Sequence, residues 1–410
     1  MSPLPRPAAS GPGALPLVGL MCLAETLSMT GFGAYPVFLT LLRDGWGLTN
    51  YQAGFIGGAY FAGYMTAVPI LSSLTDRYDA RRIYVGSCLL AAGSHLAFAL
   101  AAQGMLTASL FQAFAGAGLA GTYMPGLKAL TDRVGGPRQS RYIAFYTSTF
   151  GIGTSLSLLL AGWLGRAVHW EWAFGLLAAG PLLAGMLIFA RLAPLKVAGE
   201  QRRRRLRDSL PALRDRDVLG YVLRYGVHCW ELFGLRSWMV AFILFAFALP
   251  GAGGSPIGAT EAAAFINFLG IPASILGNEV AGRLGRRIYL PLAMAGSGTL
   301  AWLAGFAAGW PWWLVVAVLA VYFVAVMSDS AALTAGLVAA TPQNQRGTAM
   351  AVYSFAGFGA GFVAPLVFGL VLDICGGKAA PLAWGLSFGS LGLGCLLSSA
   401  AGAVARIRRD

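Results

Sequence analysis

Charge is what this sequence lacks. Only 11% of its 410 residues are Asp, Glu, Lys or Arg, against 57% hydrophobic, and mean hydropathy is +0.68. Soluble domains usually carry about 25% charged residues. A water-soluble fold of this size could not cover its surface with so few polar groups, so the expected solvent is the lipid bilayer. Catalytic signatures are missing too: there is no phosphate loop, no HExxH and no nucleophile elbow. No enzyme is expected. Cysteine is sparse, and Cys22, Cys88, Cys229, Cys375 and Cys395 form no CxxC pair. They read as small hydrophobes rather than disulfides or zinc ligands. No cleavable signal is expected, because the apolar run after the Pro/Gly/Ser-rich start is longer than a signal core.

What is present is a series of long apolar runs. A spanning helix needs about 20 mostly apolar residues in a row. Six runs cover roughly 14–42, 51–75, 83–103, 106–130, 142–165 and 170–192. Six more cover roughly 218–248, 260–281, 288–308, 311–339, 348–372 and 382–404. The prediction is an all-α membrane protein of twelve transmembrane helices. Its parts are an N-terminal segment 1–13, a six-helix bundle 14–195, a central loop 196–217, a second bundle 218–405 and a tail 406–410. The central loop is too short for an ATPase domain.

The basic residues fix an orientation. With both termini in the cytoplasm, all but five of the 29 Lys and Arg fall in cytoplasmic segments. The exceptions are Arg43, Arg166 and Lys378 outside, and Arg224 and Arg236 within the seventh span. The net charge of +13 is therefore a topology signal, and no nucleic-acid partner is expected.

The chain also repeats itself. RRIY begins at Arg81 and again at Arg286, and 286 − 81 = 205 is half of 410. Arg141 and Phe150 match Arg346 and Phe355 at the same interval, and Glu25 pairs with Glu231 one residue further. Six helices return a chain to its starting side, so both copies keep one orientation, as parallel repeats about the membrane normal.

On these residues the sequence resembles the major facilitator superfamily over essentially its whole length. The family's 2–3 loop reads roughly G-x-L-x-D-R-x-G-R-R/K. Here the first copy is SSLTDRYDARR (Ser72–Arg82) and the second NEVAGRLGRR (Asn278–Arg287). The first keeps Leu74, Asp76, Arg77 and the basic pair; the second keeps Gly285 and the arginines, with Gly282 in the aspartate position. The resemblance implies that Asp76 sits against the cytoplasmic start of the eleventh helix, near Arg346 and Gly347. A helix dipole favours an acid there by about 0.3–1 kcal/mol. It also makes Arg77, Arg81, Arg283 and Arg286 gating candidates, with orientation the simpler role for Arg81 and Arg286. Two departures count against a typical drug/proton antiporter and leave export open. Gln112 stands where such proteins carry an arginine, and the fifth span, FGIGTSLSLLLAG, has no proline.

An ionisable residue inside the membrane is a functional candidate by default. Those nearest mid-membrane are Glu25, Glu231, Arg236 and Asp329; His228 lies nearer the cytoplasmic end. Arg224, His228, Glu231 and Leu235 share one helical face. Family resemblance places the first and seventh helices around a central cavity, so Glu25 and Glu231 are expected to face each other across it. A carboxyl removed from water favours its protonated form, which makes either glutamate a proton-coupling candidate; an interhelical ion pair is the structural alternative. Arg236 is a candidate for gripping an anionic group or for pairing with Asp329 or Glu25. Tyr123, Asn267 and Gln112 add hydrogen-bonding capacity. Cys22 with Glu25, and His228 and Cys229 with Glu231, suggest a soft metal, but Cys229 points away from its neighbour. No metal or cofactor is expected.

The resemblance implies a secondary transporter of a small solute, working by alternating access as a monomer in a bacterial inner membrane and coupled to protons. The alternatives are an exporter of drugs or toxic metabolites, and a non-transporting sensor or assembly factor on the same scaffold.

Overall fold

The computed structural model describes residues 14–195, 215–343 and 345–407, with side chains described to residue 400. The segment 1–13, the central loop from 196 to 214 and residues 408–410 lie outside them. Every regular element among the described residues is helical.

In the first half α1 (Ala14–Ser28) and α2 (Ala34–Gly45) share one span. Then come α3 (Asn50–Leu74), α4 (Ala80–Ala101), α5 (Met105–Thr131) and α6 (Gln139–Ala167). The sixth span is α7 (Trp170–Leu177) and α8 (Ala179–Arg191). The second half has α9 (Arg216–Ala248), α10 (Ala259–Leu284) and α11 (Arg286–Phe306). It continues with α12 (Trp312–Ser328) and α13 (Ser330–Ala340) sharing a span, then α14 (Arg346–Ile374) and α15 (Pro381–Ile407). Among the described residues ten spans are long and apolar enough to cross a membrane. The broken first span and the 27-residue α5 complete the twelve expected.

Local chemistry sets the helix ends. α3 opens with a reciprocal cap: Thr49 Oγ1 accepts from the Gln52 N–H at 3.2 Å, and Gln52 Oε1 accepts from the Thr49 N–H at 3.0 Å. α4 opens on Asp79, which accepts from the Arg81 N–H at 3.0 Å. In the second copy of that turn Gly285 alone separates α10 from α11, at φ +83°, a conformation that glycine adopts without strain. The first span breaks over Met29–Gly33, where Gly31 lies against the His95 ring and the Gly33 N–H bonds to Ser157 Oγ.

The turns fall on two sides. One side, here the basic face, carries the turns at 75–79, 132–138 and 285 and the break between α13 and α14. The far face carries those at 46–49, 102–104, 168–169, 249–258, 307–311 and 375–380. The halves meet through α3 with α14, α6 with α10 and α2 with α9. At the first of these seams Gly54 and Gly58 lie on the backbone of Pro365 and Phe362, so a Cβ on either would strike a carbonyl oxygen.

The hydrophobic core is distributed unevenly. Toward the far face one cluster runs through both halves, joining Tyr35, Phe61 and Phe174 to Phe233, Trp238 and Trp384. Toward the basic face there are two separate clusters. One belongs to the first half (Val18, Tyr84, Tyr146, Ile188) and one to the second (Val222, Leu290, Leu337, Tyr353). Polar contacts follow the same division. Among the described residues the hydrogen bonds between halves all lie at the far face. Asp373 accepts from Asn50 and Tyr51, Lys378 pairs with Asp44 at 2.5 Å, and Arg166 pairs with Glu261.

Candidate functional site

Glu25 is fully buried, and its partners all come from its own half. Oε2 accepts from Tyr84 Oη at 3.2 Å and Tyr146 Oη at 3.1 Å, while Thr122 Oγ1 lies 3.5 Å from Oε1. Glu231, 1% exposed, is held the same way in the second half. Ser297 donates to Oε2 at 2.8 Å, Tyr322 to Oε1 at 3.1 Å, and the Cys395 thiol to Oε2 at 3.0 Å. The expected confrontation across the cavity is therefore corrected: each glutamate is hydrogen-bonded inside its own bundle. Each carboxyl ties three other spans of its half to the span that carries it: Glu25 reaches α4, α5 and α6, and Glu231 reaches α11, α12 and α15.

A second buried pair lies one turn from Glu231. His228 Nδ1 stands 2.6 Å from Asp329 Oδ1, and both side chains are almost wholly enclosed. Asp329 occupies the break between α12 and α13, where its own carbonyl accepts from the Leu333 N–H at 2.8 Å. The Tyr225 ring stacks on His228 at 5.9 Å and on Tyr353 at 3.6 Å. Asp329 thus faces His228 in close contact, with neither of the two atoms in a well-aligned hydrogen bond, and the expected alternative of Asp329 with Arg236 is not formed.

Arg236 lies elsewhere, on the central cavity between the halves. Its Nε donates to Asn267 Oδ1 at 3.0 Å, and Asn267 in turn donates to the Ala263 carbonyl at 2.9 Å. Its guanidinium carbon is 5.6 Å from the Phe150 ring centre and 5.5 Å from that of Phe323. The cavity is walled by Arg236, Ser237 and Asn267 from one half and by Gln112, Tyr60 and Phe61, among others, from the other. It has about 30 Å³ free, room for water rather than for a solute. Tyr123 does not wall it, but stacks on Tyr146 at 5.8 Å and meets Phe150 edge-on at 5.5 Å.

A layer of rings separates this cavity from the basic face. Phe61 of α3 meets Phe233 of α9 at 4.2 Å, and Tyr64 stacks on Phe358 of α14 at 3.9 Å. All four are at most 8% exposed. Hydropathy did not mark them, since aromatic residues are ordinary in any apolar span.

The basic-face candidates are less engaged. Asp76 is exposed, and the space beside Gly347 is empty, so the expected contact with the start of α14 is not made here. Arg346 instead donates to the Thr341 carbonyl at 3.3 Å. Arg81 reaches the Phe189 carbonyl and lies 5.0 Å over that ring, whereas Arg283 pairs with Glu279 on its own helix at 3.1 Å. Arg77 and Arg286 have no ion-pair partner among the described residues. The residue that does tie this turn down is Asp79, three positions on from Asp76. It faces Arg133 at 3.4 Å and accepts from the Leu195 N–H at 2.8 Å. Asp79, Asp373, Glu261 and Asp44 escaped sequence reasoning because each sits at a helix end. The signal available was an acid placed to meet a helix N-terminus or an isolated far-face base.

The comparisons agree with this architecture. The Major Facilitator Superfamily family model matches residues 21–365, so the chain belongs to that superfamily. A peptide transporter of Yersinia enterocolitica, YePEPT, is 30% identical over 190 residues, covering 43% of this chain and 36% of that protein. The 3-(3-hydroxy-phenyl)propionate transporter of Escherichia coli is 28% identical over 199 residues, 48% of each chain. The match thus spans less than half the length of either relative. Among solved structures, a bacterial homologue of the human lysosomal transporter Spinster, inward-facing and occupied, superposes with a TM-score of 0.77. It is 15% identical and is matched over 97% of this chain and 98% of that one, a likeness of fold.

Proposed function

We propose that this chain is a proton-coupled secondary transporter of a small solute, acting as a monomer in a bacterial inner membrane with its basic face in the cytoplasm. The observation that carries the reading is the asymmetry of the contact between halves. Ion pairs, a helix cap and a shared core close the far face, while the cores part toward the basic face. Under the positive-inside rule this is a state closed to the outside, with the ring layer as the last barrier to the cytoplasm. Alternating access then means breaking the far-face contacts while the basic ends come together, with Asp76 reaching the start of α14 in that second state. Glu25 and Glu231 are the proton carriers, since each is buried with no basic side chain among its partners, and a carboxyl kept out of water favours its neutral form. Curated relatives named as transporters support the class.

The test uses pairs of spin labels in the full chain in lipid, at exposed positions. Tyr78 with Gln343 reports the basic face, and Gly45 with Ala379 the far face. Two distance populations are expected at each pair, shifting in opposite senses with pH. Glu25→Gln and Glu231→Gln together should remove the pH response. A single fixed distance at both pairs would exclude alternating access; a pH response that survives the double variant would exclude the two glutamates.

A further inference from the structure

The geometry points to Arg236 as the anion subsite of a monocarboxylate with an apolar or aromatic body. The inference rests on the transporter reading and adds the chemistry of the solute. Arg236 is 8% exposed, and a guanidinium stays charged at any physiological pH. A buried charge needs a counter-charge. Among the described residues none is present: no carboxylate lies within 4.0 Å of Arg236, and the acids nearby are committed elsewhere. Glu231 holds Ser297, Tyr322 and Cys395; Asp329 holds His228; Glu25 belongs to the tyrosine cluster of the other half.

The guanidinium is also oriented. Its Nε is taken by Asn267, and two phenyl rings flank its carbon, which suits a cation held by ring faces. The two terminal nitrogens have no protein acceptor among the described residues. They form the parallel donor pair that matches the two oxygens of a carboxylate. Arg236 is the one charged residue among the cavity-lining residues, so a single negative charge is balanced and a dianion is not. Gln112, Ser237 and Thr154 supply the remaining polar contacts, and Phe32, Tyr60 and Phe61 wall the rest. Those walls suit a hydrocarbon or aromatic body rather than a sugar.

The cavity has room only for water in this arrangement, so the solute enters as the halves move. Binding is therefore measured on the full chain in lipid nanodiscs by isothermal titration. The probes are acetate, butyrate, octanoate, phenylacetate and 3-phenylpropionate, each beside its primary amide and the amine of the same skeleton. At least one of the longer acids should bind tenfold or more tightly than its amide. Arg236→Gln should erase that preference, and Arg236→Lys, which keeps the charge without the paired donors, should reduce it. Should Arg236→Gln fail to fold, Asn267→Asp supplies a carboxylate beside the guanidinium and should erase the preference by itself. Equal response to acid and amide in the unaltered chain, absence of any response included, overturns the inference, as does an acid preference that survives Arg236→Gln. The spin-label distances are independent of solute charge. If they still exchange while the acid preference is absent, the transporter reading stands and only the solute chemistry falls.

Discussion

The carboxylate of Asp373, at the end of α14, caps the start of α3. Oδ1 accepts from the Asn50 N–H at 3.1 Å and its side-chain amide at 2.7 Å, while Oδ2 accepts from the Tyr51 N–H at 2.8 Å. The two residues are 323 positions apart, so a helix in one half is capped by a residue of the other. This cap can exist only while the far face is closed.

Removing it should favour the opposite state. A side-chain cap is worth about 1 kcal/mol, which is roughly fivefold in a two-state ratio. Asp373→Ala is expected to enlarge the far-open population about fivefold in the Gly45–Ala379 distance distribution, with the fold intact by circular dichroism.

The seam between α3 and α14 gives a sharper contrast. A Cβ at Gly54 meets the Pro365 carbonyl, whereas one at Gly86 meets nothing within 4 Å. Gly54→Ala is expected to destabilise the chain by about 1–3 kcal/mol through overpacking. Gly86→Ala is expected to be neutral or to stabilise by up to about 1 kcal/mol through helix propensity. Thermal melting in one detergent compares the two directly.

His228 and Asp329 form a buried pair, and losing one member leaves the other without a partner. His228→Leu leaves the Asp329 carboxyl buried against an apolar side chain and should cost about 1–3 kcal/mol. Asp329→Asn keeps a hydrogen-bonding group beside the imidazole and should cost less. Equal losses in melting experiments would mean that the pair contributes only by packing.

Arg166 and Glu261 should behave differently, because their side chains are 55% and 26% exposed. An ion pair of that kind contributes at most about 1 kcal/mol and is screened by salt. Arg166→Gln should lower melting only slightly, and raising salt from low to physiological strength should shrink that difference.

The spans were legible because the bilayer demands long apolar runs, and RRIY at Arg81 and Arg286 marked the duplication. Rotation about each helix axis was not legible. Glu25 and Glu231 were visible as unusual, but hydropathy does not say whether they turn toward the cavity or toward Tyr84, Tyr146, Ser297 and Tyr322. Their partners are ordinary polar residues with no signal of their own. Conformational state was not legible either: the resemblance implies a contact of Asp76 with the start of α14, and that contact is not made here. Arg236 was readable as a candidate, yet its lack of a counter-ion became visible only once every nearby acid had found another partner.

The glycine contacts at Gly54 and Gly58 also set a lever ratio. They bring the backbone of α3 directly against the Pro365 and Phe362 carbonyls of α14, a close backbone contact about which one helix can tilt on the other. At 1.5 Å per residue, α3 extends about 12 Å from Gly58 to its far end at Asn50 and about 24 Å to its basic end at Leu74. A tilt about that point moves the basic ends about twice as far as the far ends. Loosening the short arm enough to free Asp373 from Asn50 therefore swings the long arm through about twice that displacement.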